Sequence, residues 1–466
     1  MSGKEDFSVY NVSPNGLGTS IPENPLEFLK GDEERSWHVA RNLHKPLNHL
    51  EFLKRQEQIA VKLNLHNVVT SPEAFEINYR LLESHQKGEL STSKLLHHLS
   101  AQLKEYGRPI PVDGISTLLK EYATVCHMEF HPSDVCNLTC LGCTYGHDNP
   151  ETKPLAIYYP FQYIRDIARL KPKSMVIIGG GEPTLYRNGK YHFQELVDEI
   201  IEHNQIRLAL TTNGTFKPPG DWPDKFAWIR LSLDAATAST YKMFRGKNLF
   251  DRIVKNFLSY LDYDVPYVGI SFLFAKSNIH EYAAVSDFIF NLVKREKPRC
   301  LSKINIQYRP LRRDPINYHK PFTEAITKQQ IRTALREVRQ LAAQSSEMET
   351  FLRDQTNIAA VLGGNSHPPY EFSRCFYSQT FKIVRANGDL RPCFIRATEP
   401  DFILGNIIRD PLESIALNTL YVGAKRKPHC NSSGCRQCHI NYIFEQGLAG
   451  KIQPSKSPEV LADPMY

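Results

Sequence analysis

Hydrophobic residues recur every four positions at Leu95, Leu99 and Leu103, which places them on one face of a helix, and Gly107 then supplies a stop. Ser71-Pro72-Glu73 is a helix start: a capping hydroxyl, a proline in the first turn and an acid near the positive dipole end. Residues 31–125 read as helical after a Ser-, Asn-, Pro- and Gly-rich lead-in over 1–30. From Cys126 the pattern changes. Short β-rich runs at 127–131, 174–179, 206–211, 229–233, 267–274 and 303–308 alternate with helical stretches near 160–170, 192–204, 249–260 and 281–295. That alternation predicts an α/β fold with a parallel sheet and right-handed crossovers. Six strands fall short of the eight of a closed barrel, so an open or partial barrel is expected, with functional loops at the carboxyl ends of its strands. A long helix is predicted over 322–346, then a Gly/Asn/Pro-rich break at 363–370 and a Cys-rich tail over about 371–440. The expected units are 1–125, 126–346, 347–440 and a tail of 441–466.

Composition narrows the function. The chain has 466 residues, 57 Lys and Arg against 50 Asp and Glu, a net charge of +7 and 41% apolar residues, values that exclude disorder as the main state. No uncharged apolar run approaches the roughly 20 residues of a membrane helix, and MSGKEDFSVYNVS lacks the basic and apolar regions of a secretory signal. The expected location is therefore the cytoplasm, with no membrane partner. Thiols stay reduced there, so ten Cys in tight groups read as metal ligands rather than disulfides. No Lys/Arg stripe with interleaved aromatics points to nucleic acid. P-loop, nucleophile-elbow and Rossmann fingerprints are absent too.

The chemistry begins at CNLTCLGC, where Cys136, Cys140 and Cys143 share one loop after the first strand. Thiolates are the ligands of iron–sulfur clusters, and three on one loop leave one corner of a cube open. A zinc site completed by His147 is the alternative. The spacing resembles the signature of the radical SAM superfamily, whose fold is a partial (β/α)6 TIM-like barrel, and the resemblance covers about 127–310. It continues in GGGEPT, where it places Gly180, Gly181 and Glu182 near the methionyl end of S-adenosylmethionine (SAM). In LSLDAATASTYKMFRG it makes Ser232 and Arg245 SAM-holding residues, with Asn213 and Asp234 as further candidates. The family has an aromatic residue just before the third Cys. Here that residue is Gly142, with Tyr145 as a nearby cofactor contact. The implied activity is reductive cleavage of SAM to a 5′-deoxyadenosyl radical that removes a substrate hydrogen.

In the tail, RANGDLRPC reads as an Asn-Gly hairpin that brings Cys393 back toward Cys375, ahead of Cys430, Cys435 and Cys438. This arrangement resembles the twitch domain, a shorter relative of the SPASM domain. The resemblance makes Cys375, Cys393, Cys435 and Cys438 the ligands of one auxiliary [4Fe–4S] cluster, and a zinc knuckle of Cys430, Cys435, Cys438 and His439 is the alternative. Cys126 and Cys300 read most simply as buried apolar residues. Any of Cys126, Cys300 and Cys430 that enters the cavity is a candidate hydrogen-atom donor, and Cys300 and Cys430 are the catalytic thiols expected. Tail clusters of this kind imply a ribosomally made peptide as substrate, undergoing epimerisation, crosslinking or dehydrogenation, with a flavodoxin- or ferredoxin-type electron donor. A small-molecule dehydrogenase of the aminoglycoside type is the runner-up, and a non-catalytic metal scaffold the third reading.

Overall fold

Strands β1 (His127–Phe130), β2 (Ser174–Ile177), β3 (Arg207–Thr212), β4 (Phe226–Ser232), β5 (Tyr267–Phe274) and β6 (Ile304–Pro310) pair in parallel, each with the next. The computed structural model describes residues 49–65, 72–147, 154–204, 206–311, 324–358, 372, 375–396, 399–425 and 438–451. Alternation along each strand decides the two faces. In β5 and β6, Val268, Ile270, Phe272, Ile304, Ile306 and Tyr308 are buried beneath the helices, whereas Ser271, Leu273, Asn305, Gln307 and Arg309 on the other face stay partly exposed. The helices Phe193–His203, Phe250–Tyr260 and Tyr282–Glu296, together with a 3-10 segment at Phe161–Leu170, cover the outer face. The result is the expected α/β half-barrel with a polar inner face.

Three features differ from the sequence pattern. The helix Ala238–Arg245, capped by Thr237, lies in a stretch read for its chemistry alone. The single long helix of 322–346 is two: Lys328–Ala342 and Ser346–Asp354, the second opened by Ser345, whose side chain accepts from Met348 N. The residues that follow stay with the barrel, Gln355 O accepting from Ile306 N at 2.8 Å. Residues 441–448, expected as a loose tail, complete the helix Cys438–Leu448.

The tail does not form a sheet of its own. Strand β7 (Phe381–Val384) pairs in parallel with β1, and β8 (Asp389–Arg391) and β9 (Gly405–Asn406) add antiparallel strands beyond it, giving one nine-stranded sheet ordered β6-β5-β4-β3-β2-β1-β7-β8-β9. The expected Asn-Gly hairpin joins β7 to β8. Arg385 N donates to Asp389 O, and Gly388, at φ +87°, takes the left-handed conformation the turn needs. Lys382 on β7 is fully buried, and burial pushes its amine down to about 7. The N-terminal helices also join this half. Ser116 Oγ donates to Glu413 at 2.6 Å, the rings of Tyr79 and Tyr421 lie 5.0 Å apart, and Leu53 packs with Phe376 and Phe444. Among the described residues no helix is long and apolar enough to cross a membrane.

Candidate active site

The loop after β1 is held by the ends of the next three strands. From the β2 end, Gly181 N donates to Ser133 O at 2.8 Å and Glu182 N to Val135 O at 2.7 Å. From β3, Asn213 Nδ2 donates to Asn137 Oδ1 at 2.8 Å, and Asn137 Nδ2 donates to Thr215 Oγ1. Past β4, Phe244 O accepts from Leu141 N, and Arg245 Nη1 reaches Cys140 Sγ at 3.2 Å. Cys136, Cys140 and Cys143 are half-buried on this clamped loop and form no disulfide. Arg245 pairs with Asp234, whose Oδ1 accepts from Leu273 N. Burial alone would lower the Arg245 guanidinium, but Asp234 and Cys140 outweigh it and hold it charged.

The glycine run is explained by the close approach of the Asp134–Val135 segment of the protein itself. A Cβ on Gly181 would sit 2.2 Å from Val135 O, and one on Gly180 would sit 2.0 Å from Asp134 Oδ1. Glu182 also has a role within the protein: its carboxylate accepts from Thr184 N and Oγ1, Thr212 Oγ1 and Asn213 N, tying the β2 turn to the end of β3. Burial raises its pKa against those four donors. Gly142, at φ +65°, occupies backbone space that an aromatic side chain would strain, and its Cα faces Leu311. Tyr145 turns instead toward the tail. Its ring meets His131 edge-on at 5.3 Å, carries the Arg385 guanidinium at 4.7 Å, and packs with Phe381, Ile383, Tyr377 and Phe394. Ser232 lies partly exposed at the carboxyl end of β4.

The geometry separates the metal readings of the loop. A tetrahedral zinc bonded to sulfur at about 2.3 Å holds its ligand atoms about 3.8 Å apart. No three of Cys136, Cys140, Cys143 and His147 lie within 4.8 Å of one another. His147 Nε2 instead donates to Gly180 O at 2.7 Å. The loop is wider than a mononuclear zinc site.

Cys375 and Cys393 are both buried, the first just before β7 and the second just after β8, so the hairpin brings them to the same end of β7. Asn441 Oδ1 accepts from Tyr377 N at 2.8 Å, fastening the helix Cys438–Leu448 to the segment of Cys375. Cys430 and Cys435 lie outside the described residues, and of Cys438 only its place at the start of that helix is described. Because β7 runs parallel to β1, this group sits at the amino end of β1 and the CNLTCLGC loop at its carboxyl end. Four residues of strand between them span ~13 Å.

Cys300 is not where a catalytic thiol is needed. It lies in the segment Pro298–Lys303 before β6, at the amino end of the barrel, with its thiol toward Leu261 O at 3.7 Å. Cys126 lies at the same end and is fully buried. Sequence reasoning missed Asn137, Asp134 and Arg385. The last two form an ion pair at 3.2 Å between the cluster loop and the tail hairpin, a contact across 251 residues that no local signal reveals.

Residues 130–289 match the Radical SAM superfamily, and residues 375–439 match an iron–sulfur cluster-binding domain, SPASM. Among curated relatives, the GTP 3′,8-cyclase of Edwardsiella ictaluri is 29% identical over 148 residues, covering 30% of this chain and 44% of that one. The mycofactocin maturase MftC of Mycolicibacterium smegmatis is 28% identical over 162 residues, covering 32% and 39%. The matches thus span less than half the length of these relatives. Streptococcus suis SuiB bound to S-adenosylmethionine superposes with a TM-score of 0.47 at 18% identity, covering 84% of this chain and 88% of that one. The cofactors of the two matched domains are a SAM-binding [4Fe–4S] cluster, S-adenosylmethionine and an auxiliary iron–sulfur cluster. The chain carries a radical SAM domain followed by a SPASM/twitch-type iron–sulfur domain.

Proposed function

We propose that this protein oxidises a ribosomally made peptide by radical chemistry, through a crosslink or a dehydrogenation. The observation that carries the reading is the three-thiol loop, clamped by three successive strand ends over a polar inner face. When bound there, the cluster and SAM supply a 5′-deoxyadenosyl radical. The residues of this chain orient and shield. Arg245, held between Asp234 and Cys140, keeps a buried positive charge beside the cluster loop, suited to an anionic group such as the carboxylate of methionine. The apolar layer beneath the sheet and the clamped loops keep water from the radical. A similarity to the mycofactocin maturase supports a maturation substrate, and the equally large similarity to the GTP 3′,8-cyclase carries the second reading, a small molecule.

Oxidation is favoured over epimerisation by where the described non-ligand thiols lie, Cys430 falling outside the described residues. Epimerisation needs a cavity thiol to return a hydrogen atom, and Cys126 and Cys300 lie at the amino end of the barrel, away from the loops. Cys375 and Cys393 are proposed with Cys435 and Cys438 as ligands of the auxiliary cluster, the electron acceptor that oxidation requires. A flavodoxin or ferredoxin is the proposed source of the electron that starts the reaction, attracted by the +7 charge.

The test is anaerobic incubation of reconstituted protein with SAM, dithionite and each short peptide encoded beside its gene. Formation of 5′-deoxyadenosine, together with a peptide lighter by the mass of two hydrogens, is expected. A peptide of unchanged mass that takes up solvent deuterium would replace oxidation with epimerisation, and no deoxyadenosine would remove the proposal.

A further inference from the structure

The inner face of the barrel offers few groups that exchange protons near neutral pH. Val176, Ala209 and Trp228 stand level with Glu129 across the sheet, and Thr211, Arg230 and Asn305 form the next layer. Apolar, hydroxyl, amide and guanidinium side chains neither take up nor release a proton in that range. Glu182 is committed to its four donors, Asp234 to Arg245, and His127, at the amino end, to Ser174 Oγ at 2.9 Å. Among the described residues, the acid–base side chains left on this face are Glu129 and His131. Both lie on the inner side of β1 (by the two-residue period of the strand), between the two cysteine groups.

His131 needs an explanation. It is fully buried, and neither ring nitrogen has a hydrogen-bond partner. Its Nε2 lies 3.6 Å from Glu129 Oε2, beyond hydrogen-bond range but closed by a small shift. An orphaned buried imidazole is costly unless something brings it a partner. The groups facing it are Glu129 from β1, Asp134 and Tyr145 from the cluster loop, and Arg385 from the β7–β8 hairpin. Burial pushes the imidazole below its ordinary value, so it waits neutral. Glu129, beside it on the inner side of β1, is partly exposed.

We propose that Glu129 is the proton acceptor for the substrate and that His131 is its positioning residue. This rests on the oxidative radical reading above. The 5′-deoxyadenosyl radical takes a hydrogen atom from a substrate C–H bond and becomes 5′-deoxyadenosine. The carbon radical left behind forms its new bond, a double bond or a crosslink, as a neighbouring N–H, O–H or C–H bond breaks. That step releases one electron, which the auxiliary iron–sulfur cluster accepts as the oxidant, and one proton, which goes to a Glu129 carboxylate oxygen. His131 Nε2 then closes on the protonated carboxyl and accepts its hydrogen bond.

The experiment compares wild type, Glu129→Gln, Glu129→Asp and His131→Gln as loaded enzymes with SAM, dithionite and the flanking peptides described above. Glu129→Gln is expected to lower the oxidised peptide made per 5′-deoxyadenosine about 100-fold, and Glu129→Asp to recover part of the loss. His131→Gln is expected to shift the pH profile of peptide oxidation while leaving deoxyadenosine formation unchanged. A readout independent of turnover is thermal stability between pH 7.5 and pH 5. With the folded pKa of His131 depressed, the unfolded chain binds more protons below its ordinary value of about 6.5, so wild type loses stability as pH falls and His131→Gln loses less. An equal yield of oxidised peptide per deoxyadenosine in Glu129→Gln and wild type overturns the proposal, whether or not deoxyadenosine formation itself falls. Parallel stability curves overturn the part given to His131. A wild type that makes deoxyadenosine yet oxidises no peptide overturns the reading beneath.

Discussion

Gly181→Ala is expected to cost the protein its first cluster. The added methyl would lie 2.2 Å from Val135 O, 2.4 Å from Val135 C and 2.7 Å from Asp134 C, all backbone atoms that no rotamer change can move. The loop must shift, and with it go the bonds of Gly181 N to Ser133 O and Glu182 N to Val135 O, one residue from Cys136. Overpacking of this kind destabilises by about 1–3 kcal/mol. The functional loss is larger, because the thiol spacing is set by those bonds. The variant should remain folded by circular dichroism, lose about half its bound iron and make no detectable 5′-deoxyadenosine. A fully loaded, active Gly181→Ala protein would show that the glycine run has no part in shaping the cluster loop.

Arg245→Met is expected to have the next largest effect. The guanidinium is nine-tenths buried between Asp234 and Cys140 Sγ, and its removal leaves the Asp234 carboxylate in the interior without its counter-charge. Breaking a buried pair from one side costs about 3–5 kcal/mol. Asp234, itself in a left-handed backbone conformation at φ +58°, accepts from Leu273 N, so its disturbance spreads to the end of β5. Thermal melting should show the stability loss, and equilibrium dialysis the loss of SAM. Arg245→Lys keeps the charge but has a single point of contact, and should recover stability more fully than SAM affinity. Equal recovery of both would argue that Arg245 serves the fold alone.

The six barrel strands were legible because each alternates or runs apolar between helices, and the local pattern carries that information. The pairing of β7 with β1 was not. Phe381–Val384 is four residues long, and its partner lies more than 250 residues earlier, so only the folded sheet reveals that barrel and tail share a layer. The long helix of 322–346 was overextended because Ser345 reads as an ordinary polar position until its side chain is seen capping Met348 N. The three-thiol loop was legible for the opposite reason: its cysteines lie close together in sequence. Their supports are not contiguous. Asn137 is one polar residue among many until Asn213 and Thr215 bond to it. Cys300 was a plausible hydrogen donor by residue type alone, and its position before β6 puts it at the wrong end of the barrel. Glu129 and His131 passed unnoticed because a strand of alternating polar residues looks solvent-facing, and here that face is the inside of the barrel.

The most direct measurement is iron content and SAM cleavage after anaerobic reconstitution, in wild type and in a variant with Cys136, Cys140 and Cys143 all changed to Ala. The wild type should hold about eight irons per chain and release 5′-deoxyadenosine, and the variant should hold about four and release none. Deoxyadenosine from the variant, or a wild type that holds zinc in place of iron at this loop, would contradict the account.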